Sequence, residues 1–154
     1  MQISGRFTVA VHILTCIDYF HDTHTVTSEF IASSVNTNPV IIRQIISRLK
    51  AAGLVEVSRG KLGMKLSRPV SNITLYDVYE AVESVKGKLF RFHPNPNPAC
   101  PVGKNIHSAL GIYLDEIQES FEEKLKGVTL SDITSRITDA STSTQPHSTS
   151  PTLP

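Results

Sequence analysis

Apolar side chains return every three or four positions along most of this chain and every second position in two short runs, and the switches between these periods mark its elements. Ser4 can cap a first helix from about Gly5 to Tyr19, in which Phe7, Val11, Leu14 and Ile17 share a face and would point at a core. A second helix is expected over 26–35, with Thr27 or Ser28 as cap and Glu29 in the first turn, where a carboxylate meets the positive end of the helix dipole. Asn36, Thr37 and Asn38 are too polar and too few for anything but a turn. Asn38 can then cap a third helix with Pro39 in its first turn, where a missing N–H costs nothing. Ile42, Ile45, Ile46 and Leu49 form its buried stripe, Val40, Arg43, Gln44, Ser47 and Lys50 its opposite face, and Gly53 is placed to end it in a left-handed conformation.

Leu54 to Ser58 and Met64 to Leu66 alternate as two strands, with Gly60 and Gly63 supplying the turn chemistry of a wing. Thr74 can cap a fourth helix from Leu75 to about Ser84, whose Val78, Ala81 and Val82 would close the core over the first. Four prolines in 86–101 forbid a continuous helix and predict an extended loop. Helical spacing resumes at Pro101 and runs to about Lys126, through Val102, Ile106, Leu110, Tyr113, Ile117 and Phe121. A helix of that length reaches about 40 Å at 1.5 Å per residue, too far for a small domain to cover. Its apolar stripe calls for a second copy of the chain, the alternative being that the helix folds back wholly onto its own domain. A short polar helix over 131–137 is expected next, and the Ser/Thr/Pro-rich tail 139–154 should be disordered.

The predicted fold is therefore mostly α with a small β-wing: a winged helix-turn-helix over 1–85, a proline-rich loop over 86–101, a dimerisation helix and short terminal helix over 102–138, and the tail. Composition agrees: 154 residues that are 40% hydrophobic can bury one core but not two large ones. Charge sharpens the picture. The chain as a whole carries only +1, yet 43–68 holds seven basic residues against the single acid Glu56. A basic stripe confined to one motif suits phosphate neutralisation. The N-terminus lacks a signal-peptide layout, no apolar run is long enough to span a bilayer, and Cys16 and Cys100 form neither a disulfide framework nor a CxxC pair. These features predict a cytoplasmic protein in a reducing compartment, without a membrane association.

The function expected from these residues is sequence-specific binding of double-stranded DNA by a transcriptional regulator, most simply a repressor. Thr37, Asn38, Val40, Arg43 and Gln44 lie near the start of the third helix, the end that enters a major groove, and Arg43 to guanine and Gln44 to adenine are the natural pairings. Ser4, Arg6, Ser28, Arg48, Lys50, Arg59, Lys61, Lys65 and Arg68 are the candidate phosphate and wing contacts, which set affinity but carry little sequence information. Two other classes compete. Val40 and Ile41 leave room for a winged helix that binds a partner protein instead, which the basic stripe opposes. A cysteine-dependent enzyme would need a base oriented on Cys100, and no such base is evident.

Taken together, the first helix, the TSEFIASSVNTNPVIIRQIISRLKAAGLVEVSRG segment, the ITLYDVYEAV helix and the long helix resemble the Rrf2 (IscR/NsrR/CymR) family of bacterial transcription regulators over about 1–138, and NPNPACPVGK is similar to its YwnA-type branch. The resemblance implies a homodimer on a palindromic operator, recognition helix in the major groove, wing in the minor groove, and long helices crossing at an interface built on Ile106, Leu110, Tyr113, Ile117 and Phe121. Family members that carry an iron–sulfur cluster hold it with three cysteines between the fourth and the long helix. Here only Cys100 lies there, so no cofactor is expected, and the wing is about one residue shorter than usual, with Gly63-Met64-Lys65 in place of Gly-Gly-Tyr.

Cys100 admits two readings. Just before a helix N-terminus, with Lys104 one turn on and His93 and His107 within seven residues, it is placed to be a redox-reactive thiolate. It can equally be a small packing residue in a proline-bracketed loop. A metal held by His93, Cys100 and His107 has suitable ligands but no recognised zinc spacing. Cys16, between Leu14 and Ile17, belongs to the core.

Overall fold

The computed structural model describes residues 5–58, 63–82 and 88–143. Within them run helices α1 (Gly5–Phe20), α2 (Ser28–Val35) and α3 (Pro39–Ala51), strands β1 (Val55–Val57) and β2 (Met64–Leu66), a 3-10 turn at Val70–Asn72, and helices α4 (Leu75–Val82), α5 (Pro101–Lys126) and α6 (Leu130–Ser143). Local chemistry sets the helix-turn-helix. Thr27 caps α2 by accepting from the Phe30 N–H at 3.1 Å, and Asn38 caps α3 by accepting from the Val40 N–H at 2.8 Å. Between them Asn36 adopts the left-handed conformation at φ 57 and returns its N–H to the Ala32 carbonyl. α3 ends as Gly53 predicts: at φ 72 it donates to Lys50 while Leu54 donates to Leu49, the paired bonds of a Schellman turn.

The core is one cluster. Ile13, Leu14 and Ile17 of α1, Ile31 of α2, Ile42, Ile45 and Leu49 of α3, and Val78 and Val82 of α4 are all essentially inaccessible, each worth roughly 1.5–3 kcal/mol of transfer free energy. The expected α1 face is rotated. Ala10, Ile13 and Cys16 are buried while Phe7 and Val11 are only half-buried, because α1 is packed on by α3, α4, β2 and α6 together rather than along one stripe.

The wing is a two-stranded antiparallel ribbon pairing Val55 with Leu66, Glu56 with Lys65 and Val57 with Met64. Gly63 serves it at φ 67, and a Cβ there would press on the Val26 backbone, because Met64 donates its N–H to the Val26 carbonyl at 3.1 Å. Val26 therefore belongs to this strand junction, and α2 begins two residues later than its apolar pattern suggests. Gly60 lies outside the described residues, as does Ser84, at which the fourth helix was expected to end.

Two similar phrases, Thr74-Leu75-Tyr76-Asp77 and Thr129-Leu130-Ser131-Asp132, start α4 and α6 and are stitched to each other. In each, the Asp carboxylate accepts from the Thr N–H at 2.8 Å. Leu75 N–H donates to Val128 and Leu130 N–H donates to Ile73, an isolated antiparallel bridge between the two helix entries. Leu130 is thereby fully buried and α6 lies on α1. The terminal helix is longer than the expected 131–137 and carries 139–143, expected to be disordered, into helix. Hydroxyls of Thr138, Ser141, Thr142 and Ser143 bond back to the carbonyls four residues earlier, so these side chains are satisfied along the helix rather than capping or breaking it.

Candidate nucleic-acid interface

α3 presents an exposed outer face. Val40 is 52% and Ile41 45% exposed, and Asn38, Arg43, Gln44, Ser47 and Lys50 are exposed beside them. A groove of about 450 Å³ runs between α2, α3 and the wing, lined by Ser28, Glu29, Arg43, Ser47, Lys50 and Val57 among others. Thr37 is half-buried in the turn between α2 and α3. Ser4, Arg59 and Lys61 lie outside the described residues, while Arg6 is exposed on the first turn of α1.

The tertiary structure sorts the cations in a way their sequence positions did not. Arg48 donates from Nη1 to the Val82 carbonyl at 2.8 Å, where it completes the carboxyl end of α4. Arg68 pairs with Asp77 at 3.4 Å, at the entry of the same helix. Both guanidiniums thus bind their own domain and help to seat α4. Lys65 pairs at 3.1 Å with Glu56, its cross-strand neighbour. Arg43 donates from Nε to Ser28 Oγ at 3.2 Å and from Nη2 to the Glu29 carboxylate. Glu29's carboxyl is held below the usual carboxylate range first by its own backbone N–H, then by Ser28 and Arg43. Glu29 and Asp77 are the acids that the local charge pattern missed, for they lie outside 43–68 and only folding brings them to the stripe.

α5 has no fully buried residue. One face rests on its own domain: Phe121, expected at a dimer interface, packs edge-on against Tyr79 of α4 at 5.5 Å between centroids. A neighbouring face is covered by the proline-rich segment, which runs back along the helix. Lys88 pairs with Asp115, the Leu89 N–H donates to Gln118 at 2.8 Å, Phe92 stacks on His107 at 4.4 Å, and Asn97 lies so close to Gly103 that a Cβ there would collide with its carbonyl. The expected extended loop is a strap along α5. What stays uncovered is the stripe containing Val102 at 67%, Leu110 at 40%, Tyr113 at 64% and Ile117 at 47%, with Ile106 half-buried at its edge.

Cys100 is exposed at the N-cap of α5, and the N–H groups of Gly103 and then Val102 hold its thiol below the ordinary cysteine value. Cys16 is buried, its thiol pushed up by that burial, and it donates to Ser34 Oγ at 3.5 Å. His93 and His107 stand edge to face at 5.2 Å, but among the described residues no three His, Cys, Asp or Glu side chains gather as a metal site. An iron–sulfur cluster needs several thiolates, and one exposed and one core cysteine on different elements do not match that donor set. Among the described residues no helix is long and apolar enough to cross a membrane.

Against known proteins, residues 3–136 match the Rrf2 family, described as an iron-dependent transcriptional regulator. YwnA of Bacillus subtilis (strain 168), a protein named as an HTH-type transcriptional regulator, is 42% identical over 132 residues, covering 86% of this chain and 96% of YwnA. A crystal structure described as a DNA-binding protein superposes with TM-score 0.66 at 38% identity over 83% of this chain and 97% of its own. CymR, the global cysteine regulator of B. subtilis, superposes at 0.68 with 23% identity over 88% and 98%, a likeness of fold alone.

Proposed function

The chain belongs to the Rrf2 family of transcriptional regulators, and from that premise we propose that it works as a homodimer on a palindromic operator, α3 in the major groove and the wing at the minor groove of each half-site. Rrf2 regulators bind DNA and act as dimers, and the family sets aside the cysteine-enzyme reading. The observation that carries the operator model is the outer face of α3, where Arg43 and Gln44 stand exposed one turn beyond a capped N-terminus. Thr37, Asn38 and Val40 border them. Lys50 and Lys65, together with Arg59, Lys61, Ser4 and Arg6, are assigned to the DNA backbone. Binding at a promoter by such a dimer would repress by occlusion.

Selection of bound sequences from random duplexes tests this reading. Arg43→Ala should lose about 1–3 kcal/mol on the selected operator and relax one position, whereas Lys50→Ala should weaken all duplexes alike and lower the salt slope by about 1. Equal losses on operator and random DNA for both variants would remove Arg43 as a base reader.

A second reading rests on Cys100, whose exposed thiol is acidified by two N–H groups. A hydroperoxide would oxidise the thiolate to a sulfenic acid, its O–O bond breaking with release of water or alcohol. Added bulk at the joint between strap and α5 would alter the spacing of the two recognition helices. Alkylation of Cys100 should reach half its maximal rate below the ordinary cysteine pKa, and that of Cys16 above it, so peroxide should modify Cys100 first and lower operator affinity reversibly. Cys100→Ser should bind normally and ignore peroxide. Release of operator by peroxide-treated Cys100→Ser would leave Cys100 as packing.

A further inference from the structure

We propose that Glu29, together with Ser28, is a positioning residue for Arg43: the first turn of α2 holds the guanidinium on α3 in the orientation that presents a bidentate donor pair to a guanine. The inference rests on the reading of Arg43 as a base reader.

The geometry is a closed triad. Arg43 Nε donates to Ser28 Oγ at 3.2 Å, Ser28 Oγ donates to Glu29 Oε2 at 3.0 Å, and Arg43 Nη2 donates to Glu29 Oε1. A guanidinium has five N–H donors in a rigid fork. Ser28 and Glu29 occupy its Nε–Nη2 side. The end of the fork, one N–H on Nη1 and the second on Nη2, remains available, and that pair has the spacing of guanine O6 and N7. The arrangement orders a long side chain before DNA arrives, so less rotamer freedom is lost on reading a base.

Fold stability does not account for the pair. Arg43 and Glu29 are 56% and 61% exposed, and ion pairs this exposed add little to folding, while α2 and α3 are already joined through Ile31, Ile42 and Ile45 in the core. A carboxylate on a face that meets phosphates also repels DNA, a cost that makes sense only if the acid improves discrimination.

The test repeats the selection from random duplexes with wild type, Arg43→Ala, Glu29→Ala and Glu29→Gln, then measures affinity for the selected operator and for the same duplex with the read guanine replaced. Wild type should discriminate by about 5–150-fold at that base and Arg43→Ala hardly at all. Glu29→Ala should lose roughly 3–10-fold of the discrimination while holding or slightly gaining affinity for random duplex. Glu29→Gln, which keeps an acceptor for Nη2, should recover part of the loss. Unchanged thermal unfolding of Glu29→Ala excludes a folding defect; if that variant unfolds, Ser28→Ala should show the same selective loss. Full discrimination by Glu29→Ala, or tighter operator binding, would overturn the positioning role while leaving Arg43 as reader. If Arg43→Ala itself keeps every preference, the base-reader assignment falls first and the positioning role with it.

Discussion

Leu110→Glu should turn the protein into monomers and reduce operator affinity by about 10²–10⁴-fold, the avidity lost when two linked half-sites become one. Leu110 lies in the middle of the α5 stripe with Val102, Tyr113 and Ile117, and none of these is buried within its own chain. Apolar surface left open along one face of a 26-residue helix is a cost in water that a symmetric copy would remove. A carboxylate placed there would face its own symmetry mate, so its desolvation and the like-charge repulsion act twice per dimer. The substitution should leave the monomer folded, since α5 touches its domain through Phe121 and the strap rather than through Leu110. Sedimentation of the variant checks it, and an intact dimer would mean that α5 packs elsewhere.

Leu49→Ala should destabilise the fold by about 2–5 kcal/mol, the usual range for truncating a buried leucine and leaving a cavity. Leu49 is fully inaccessible, lies under the carboxyl end of α3, and its carbonyl accepts the closing bond of the Schellman turn from Leu54. The cavity would therefore open beneath α3 and loosen the step from α3 into β1. Gln44→Ala, on the exposed side of the same helix, should change stability by no more than about 0.5 kcal/mol. Urea denaturation of both variants at one fixed protein concentration gives the comparison, and a Leu49→Ala cost near that of Gln44→Ala would contradict the assignment of the core face.

The caps of α2 and α3, the left-handed Gly53 and the limits of α5 were legible because each depends on residues within four or five positions. Asn38 before Pro39, Gly53 after Ala51 and Pro101 after the proline run act through local hydrogen bonds and fixed dihedrals, which a linear pattern contains. The apolar stripes were equally readable as stripes. Their occupants were less so: α1 is enclosed on more than one side, which exchanges Val11 for Ile13 and Ala10 in the deepest layer. The length of α6 was missed because Ser and Thr usually compete with helix, and here the same hydroxyls bond back along it.

The electrostatics of the surface proposed to face DNA divide in the same way. By itself the sequence determined that cations crowd one motif and that Arg43 and Gln44 stand on the outer face of a capped helix, since sign and helical phase are properties of neighbouring positions. Only the tertiary structure decided which of those cations are occupied. Arg43 meets Glu29 across 14 residues and Arg48 meets the Val82 carbonyl across 34, separations for which no local periodicity exists. Charge interaction depends on distance through space, and that distance exists only after the core has brought α2, α3 and α4 together.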